Sequence, residues 1–150
     1  MQKITTFLMF KSGGKAAVEL YTSVFNNSKV DSLITDPQTG QLYQATFTLD
    51  GQNFMAMDGG DHFSFGEGMS QFVSCKDQAE VDYFWDKLGE GGKYSQCGWL
   101  TDRFGVSWQI IPTALGELMG DPDPAKSQRV REAMLKMTKI EVAELEKAAG

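Results

Sequence analysis

Few side chains in this sequence are equipped to do chemistry, and most of them lie in two places. The only histidine, His62, sits in GGDHFSFGEG (59–68), with Asp58, Asp61 and Glu67 around it. A nucleophile triad needs a base beside a serine or cysteine motif, and no serine motif is near this histidine. Two of the three carboxylates could together hold a hard cation or share a proton, but their spacing matches no metal loop. Glycine-rich segments commonly carry solvated acids, and that is the expectation here. The two cysteines, Cys75 and Cys97, form no CxxC pair, and there is no GxGxxG after a strand and no GxxxxGK[ST]. Structural-zinc, dinucleotide and P-loop chemistry are thereby excluded. Cys97 becomes a nucleophile only if a cation such as Arg103 lowers its pKa; otherwise it is a small buried hydrophobe.

The second place is CGWLTDRFGVSWQIIP (97–112), where a glutamine interrupts an apolar strand. Strand alternation puts Val106, Trp108 and Ile110 on one face and Ser107, Gln109 and Ile111 on the other. If the Trp108 face meets a helix layer, the Gln109 amide points into the concavity of the sheet. A buried amide needs a partner, from the protein or from a ligand.

These residues must be positioned by elements that the periodicity makes visible. ITTFLMF (4–10) is β-prone, and Ala17, Leu20, Tyr21, Val24 and Phe25 then fall at helical spacing. KVDSLIT (29–35), the turn 36–40 and QLYQATFTL follow, and Asp50-Gly51 signals a hairpin into QNFMAMD. After the glycine-rich linker, MSQFVSC (69–75) reads as a strand. Asp77 and Glu80 have the form of a capping box, and Val81, Phe84, Trp85 and Leu88 make a helical stripe. KYSQ and CGWLT, the turn Asp102-Arg103-Phe104-Gly105 and a last strand to Pro112 complete a second β-α-β-β-β series. In the tail, Val130, Ala133, Met134 and Met137 form another stripe, and Thr138 with Glu141 resembles a capping box opening a helix that ends at Ala149.

The expected architecture is therefore α+β: two βαβββ modules whose curved mixed sheets surround a cavity, followed by a helical tail. Module one spans 1–58, the linker 59–68, module two 69–112 and the tail 113–150, all within a single domain. The chain has 150 residues and is 41% hydrophobic, enough for a full core. Its formal charge is −6, and residues 121–150 are balanced, so the acidic excess lies in residues 1–120. With no basic patch carrying interleaved aromatics, nucleic acid is not an expected partner. No apolar run is long enough for a membrane span or a secretory signal, so a cytoplasmic location with free thiols is the default.

The duplicated series, the helix ending in LYTSVF, and above all CGWLTDRFGVSWQIIP with RVREAMLKMTKIEVAELEKA downstream resemble the PhnB-like branch of the vicinal oxygen chelate superfamily, along the whole chain. That superfamily includes glyoxalase I, extradiol dioxygenases and the bleomycin and fosfomycin resistance proteins. Metal-using relatives place a His or Gln on the first strand of each module and a Glu on the last. The resemblance then sets Thr6 and Ser70 at the two histidine positions, Gln109 at the final glutamate, and Met55 or Met57 at the remaining carboxylate. Such a set has no anionic ligand and little affinity for a divalent transition metal, so no metal or other cofactor is expected. Members of this branch often carry a demethylubiquinone methyltransferase label; the absence of a glycine-rich strand-to-helix loop for S-adenosylmethionine argues against it.

The resemblance implies a homodimeric cup that holds a small organic ligand without metal, with Thr6, Met55, Met57, Ser70, Cys97 and Gln109 in its cavity. The alternative is a small-molecule enzyme using Cys97, or a divalent metal on non-standard residues such as Asp58 or His62.

Overall fold

The computed structural model describes residues 2–150. The chain divides into two compact units, the first running to Phe65 and the second Gly66–Gly150, so the boundary falls inside the glycine-rich linker.

The first unit contains β1 (Thr6–Phe10), α1 (Gly14–Val24), β2 (Lys29–Thr35), β3 (Leu42–Leu49) and β4 (Gln52–Asp58). Its sheet has the order β1-β4-β3-β2, with β1 parallel to β4 and the other pairs antiparallel. Leu8, Phe10, Phe54 and Ala56 share one face of this sheet and are buried, as are Ala17, Val18 and Tyr21 of α1. The Asp50-Gly51 hairpin forms as expected, with both residues at positive φ (48° and 81°), the twist that a two-residue hairpin requires. The linker is part of this unit at its start: Gly59 N–H donates to Phe10 O, and Phe65 packs edge-on against Phe10.

The second unit repeats the pattern. It contains β5 (Gln71–Cys75), α2 (Gln78–Gly89), β6 (Lys93–Tyr94), β7 (Trp99–Thr101) and β8 (Ser107–Pro112) in the order β5-β8-β7-β6, again with a parallel outer pair. Asp77 caps α2 by accepting from Glu80 N–H at 2.9 Å, while the Glu80 carboxylate reaches back to Lys76 N–H, one residue before the usual capping-box partner.

The tail forms α3 (Thr113–Met119), α4 (Pro124–Leu135) and α5 (Val142–Ala149). Ile111, Leu115, Val130, Ile140, Leu145 and Ala149 make a core of their own. Each fully buried Leu or Ile contributes about 2 kcal/mol there. Of the expected stripe Val130, Ala133, Met134 and Met137, only Val130 is fully buried; the others are half-buried.

The expected Thr138–Glu141 capping box does not form. Glu141 stands at the N-cap of α5 without a side-chain hydrogen bond. The first N–H of α5, on Val142, donates instead to Gln78 Oε1 at 2.7 Å, and Gln78 Nε2 donates to Ile140 O and Asp82 Oδ1. A side chain from the start of α2 thus caps a helix 64 residues away. Gln78→Ala is expected to cost about 1–2 kcal/mol and to speed hydrogen exchange at Val142 N–H. Unchanged exchange there would rule out the latch. The hydrogen bond from Gln78, with Lys139 beside it, holds the Asp82 carboxyl below its ordinary value of 3.8. A lowered carboxyl stabilises fully above its unfolded pKa, so this contribution is complete at neutral pH and fades as pH falls below about 4.

Candidate functional site

The open face of the second sheet carries a groove. The registers Phe72↔Gln109 and Trp99↔Gln109 place these three residues on one rung, and Ser74↔Ile111 forms the next. Val73, Trp108 and Ile110 lie on the other face and are buried, and α2 packs against β8. The Gln109 amide therefore emerges on the face opposite Trp108. It is half-buried, and its Nε2 donates to Ser70 Oγ at 2.9 Å.

Past Pro112 the chain turns into α3, which sets Leu115, Glu117 and Met119 along the groove, and Met134 of α4 adds to the same wall. The resulting cavity is about 640 Å³, a volume suited to a small organic molecule. This wall is what sequence reasoning missed. The stripe of the tail shows which side of its helices is apolar, but not that the last strand delivers α3 onto the sheet's open face.

Cys97 also lines the groove. Its backbone is left-handed (φ 60°), and its N–H donates to Met137 O while Gly98 N–H donates to Thr138 O, both at 2.8 Å. Gly98 has φ +82°, and a Cβ there would meet Ile110 O at 2.9 Å, so glycine is required at this crossing of sheet and tail. No Lys or Arg is among the described residues lining the groove, and Arg103 lays its guanidinium over the Phe104 ring. The other thiol, Cys75, is buried, and desolvation, aided by the charges of Glu80 and Asp77, pushes it up to about 12. At pH 8 only about one Cys75 in ten thousand is thiolate. Iodoacetamide on the native protein is therefore expected to modify Cys97 and spare Cys75; the reverse labelling pattern would contradict this burial.

In the first unit, strand parity separates the expected residues. Thr6 pairs with Phe54 on the face of Leu8 and Phe10, whereas Met55 and Met57 lie on the opposite face with Phe7 and Met9. Equating the parallel registers of the two units makes Thr5, not Thr6, the counterpart of Ser70, and Met55 the counterpart of Gln109. Thr5 and Met55 line a smaller, more polar groove of about 470 Å³ with Lys29, Asp31, Thr46 and Asn53.

The linker carboxylates do not converge. Asp58 is buried, with Oδ1 accepting from Gly14 N–H and Oδ2 from Leu42 N–H, while Asp61, His62 and Glu67 are exposed. Among the described residues, no three His, Cys, Asp or Glu side chains gather closely enough to hold a metal. The hydroxyls of Thr5 and Ser70, the thioether of Met55 and the amide of Gln109 are all neutral, and each is a poor ligand for a divalent transition metal.

The family model described as 3-demethylubiquinone-9 3-methyltransferase matches residues 2–111. The chain belongs to this PhnB-like family. The PhnB protein of Bacillus cereus is 37% identical, with 73% of this chain aligned to 99% of that one at a TM-score of 0.68. Protein PA1353 of Pseudomonas aeruginosa shares the fold at 21% identity, covering 74% of this chain and 96% of its own, with a TM-score of 0.58. So does the fosfomycin resistance protein FosX of Listeria monocytogenes, solved with Mn(II) and sulfate, at 16% identity, 72% and 90% coverage and a TM-score of 0.51. No curated protein matches. The matched span ends at residue 111, so the tail, which the sequence reading counted within the resemblance, lies outside it. Methyl transfer belongs to the family's description; in this PhnB-like chain the parallel pairs among the described residues are β1–β4 and β5–β8, far from a doubly wound nucleotide-binding sheet. No helix among the described residues is long and apolar enough to cross a membrane.

Proposed function

We propose that this PhnB-like protein binds a small organic ligand in the groove of its second unit, and does so without a divalent metal. The Gln109 amide carries this reading. It stands half-buried on a mainly apolar surface, with Nε2 committed to Ser70 and its carbonyl left for a ligand. The neutral donors at the superfamily's ligand positions support the metal-free part.

Native mass spectrometry with elemental analysis of the purified protein tests both parts. A co-purified organic molecule, bound about ten-fold more weakly after Gln109→Ala, is the expected result. Stoichiometric nickel, zinc, manganese or iron would overturn the metal-free part, and no effect of Gln109→Ala would remove Gln109 from the site. A homodimer is part of the same proposal. Phe7 and Phe72 are exposed on the open faces of their sheets, and Ile4 and Met69 are 88% and 76% exposed, surface that a second copy would cover. Sedimentation as a monomer at micromolar concentration would sink this part.

A further inference from the structure

We infer that the groove's ligand is a flat, largely apolar molecule bearing a protonated amine, and that Glu117 is its counter-ion. This rests on the groove being a binding site and adds the ligand's charge and shape. Glu117 is the one charged residue among the described residues that line the groove, and it forms no ion pair among them. It lies on the exposed side of α3, at the mouth.

The other polar side chains of the groove are uncharged: the Ser74 and Thr113 hydroxyls, the Cys97 thiol and the Gln109 amide. One N–H of Gln109 Nε2 goes to Ser70, and its carbonyl oxygen is an acceptor for a ligand's ammonium. Phe72 and Trp99 flank that amide on the same rung, and the faces of aromatic rings are negative. The thioethers of Met119 and Met134 on the opposite wall are soft and polarizable and pack well on a planar ring. A carboxylate or phosphonate entering here would meet the Glu117 carboxylate and two aromatic side chains, with no Lys or Arg in the described lining to offset them. The acidic chain as a whole, at −6, adds to that bias.

Isothermal titration of the full chain at low salt with three probes of one shape tests this: naphthylmethylamine, naphthalenemethanol and naphthoate. The amine is expected to bind about ten-fold tighter than naphthoate, because attraction to Glu117 and the rings is replaced by repulsion, with the alcohol between them. Added salt should narrow the gap. Glu117→Gln, an exposed and nearly isosteric change, should bring the amine and naphthoate within about two-fold of each other. If naphthoate binds as tightly as the amine, or the preference survives Glu117→Gln intact, the inference is overturned while binding of the alcohol still upholds the groove. If none of the three binds at millimolar concentration, the groove reading falls and the inference with it.

Discussion

Asp102→Ala is expected to lower stability by about 3–5 kcal/mol, read as a fall in the urea midpoint. The residue is 3% exposed and its carboxylate organises the turn between β7 and β8. Its Oδ1 accepts from Phe104 N–H at 2.9 Å and Val106 N–H at 3.0 Å, and its Oδ2 accepts from Trp108 Nε1–H at 2.8 Å. Truncation strands the Val106 and Trp108 donors in the interior, where each unsatisfied group costs about 1–3 kcal/mol. Asp102→Asn keeps one oxygen for the backbone but turns an amide N–H toward the indole N–H. Adding Trp108→Phe to that variant removes the clash, so a double-mutant cycle should show a coupling of about 1–2 kcal/mol. Losses below about 1 kcal/mol for both single variants would mean that the turn holds without the carboxylate.

This network also explains how far a sequence can be read here. The DRFG turn was visible because Asp and Gly favour turns locally, yet Asp102's bond to Trp108 depends on where the strand returns. In the same way, β2 and β4 were delimited to the residue by alternation and hairpin chemistry. The Gln109 face was legible because a tryptophan and two aliphatics occupy the alternate positions. Thr6 failed on a matter of parity: in ITTFLMF both Thr5 and Thr6 are polar, and a one-residue slip moves a side chain through the sheet. The latch from Gln78 to Val142 had no local signal at all, since a glutamine near a helix start looks like any solvated residue. Tertiary contacts of this kind follow from the docking of the tail, which no periodicity encodes.

Asp58 shows the same limit at the candidate site, and it yields the second large expected effect. Read along the chain, it is one of three acids around a glycine-rich segment. In the fold it is 5% exposed and joins two elements, accepting from Gly14 N–H at 2.9 Å and from Leu42 N–H at 2.8 Å. Gly14 begins α1, so its N–H has no helical partner, and Gly13 before it offers no side chain to cap it. The carboxylate supplies that cap from β4, where the positive end of the helix also favours it. The approach is close enough that a Cβ on Gly14 would lie 2.7 Å from Asp58 Oδ1. Asp58→Ala is expected to cost about 3 kcal/mol, and Asp58→Asn nearly as much, because both oxygens face backbone donors and an amide can satisfy only one. Thermal melts of both variants in EDTA and in excess manganese separate this role from metal binding. A loss of the same size in both conditions fits a carboxylate that ties helix to strand. A loss that appears only with manganese present would return Asp58 to the set of metal ligands, since only a ligand's removal would abolish stabilisation by the ion.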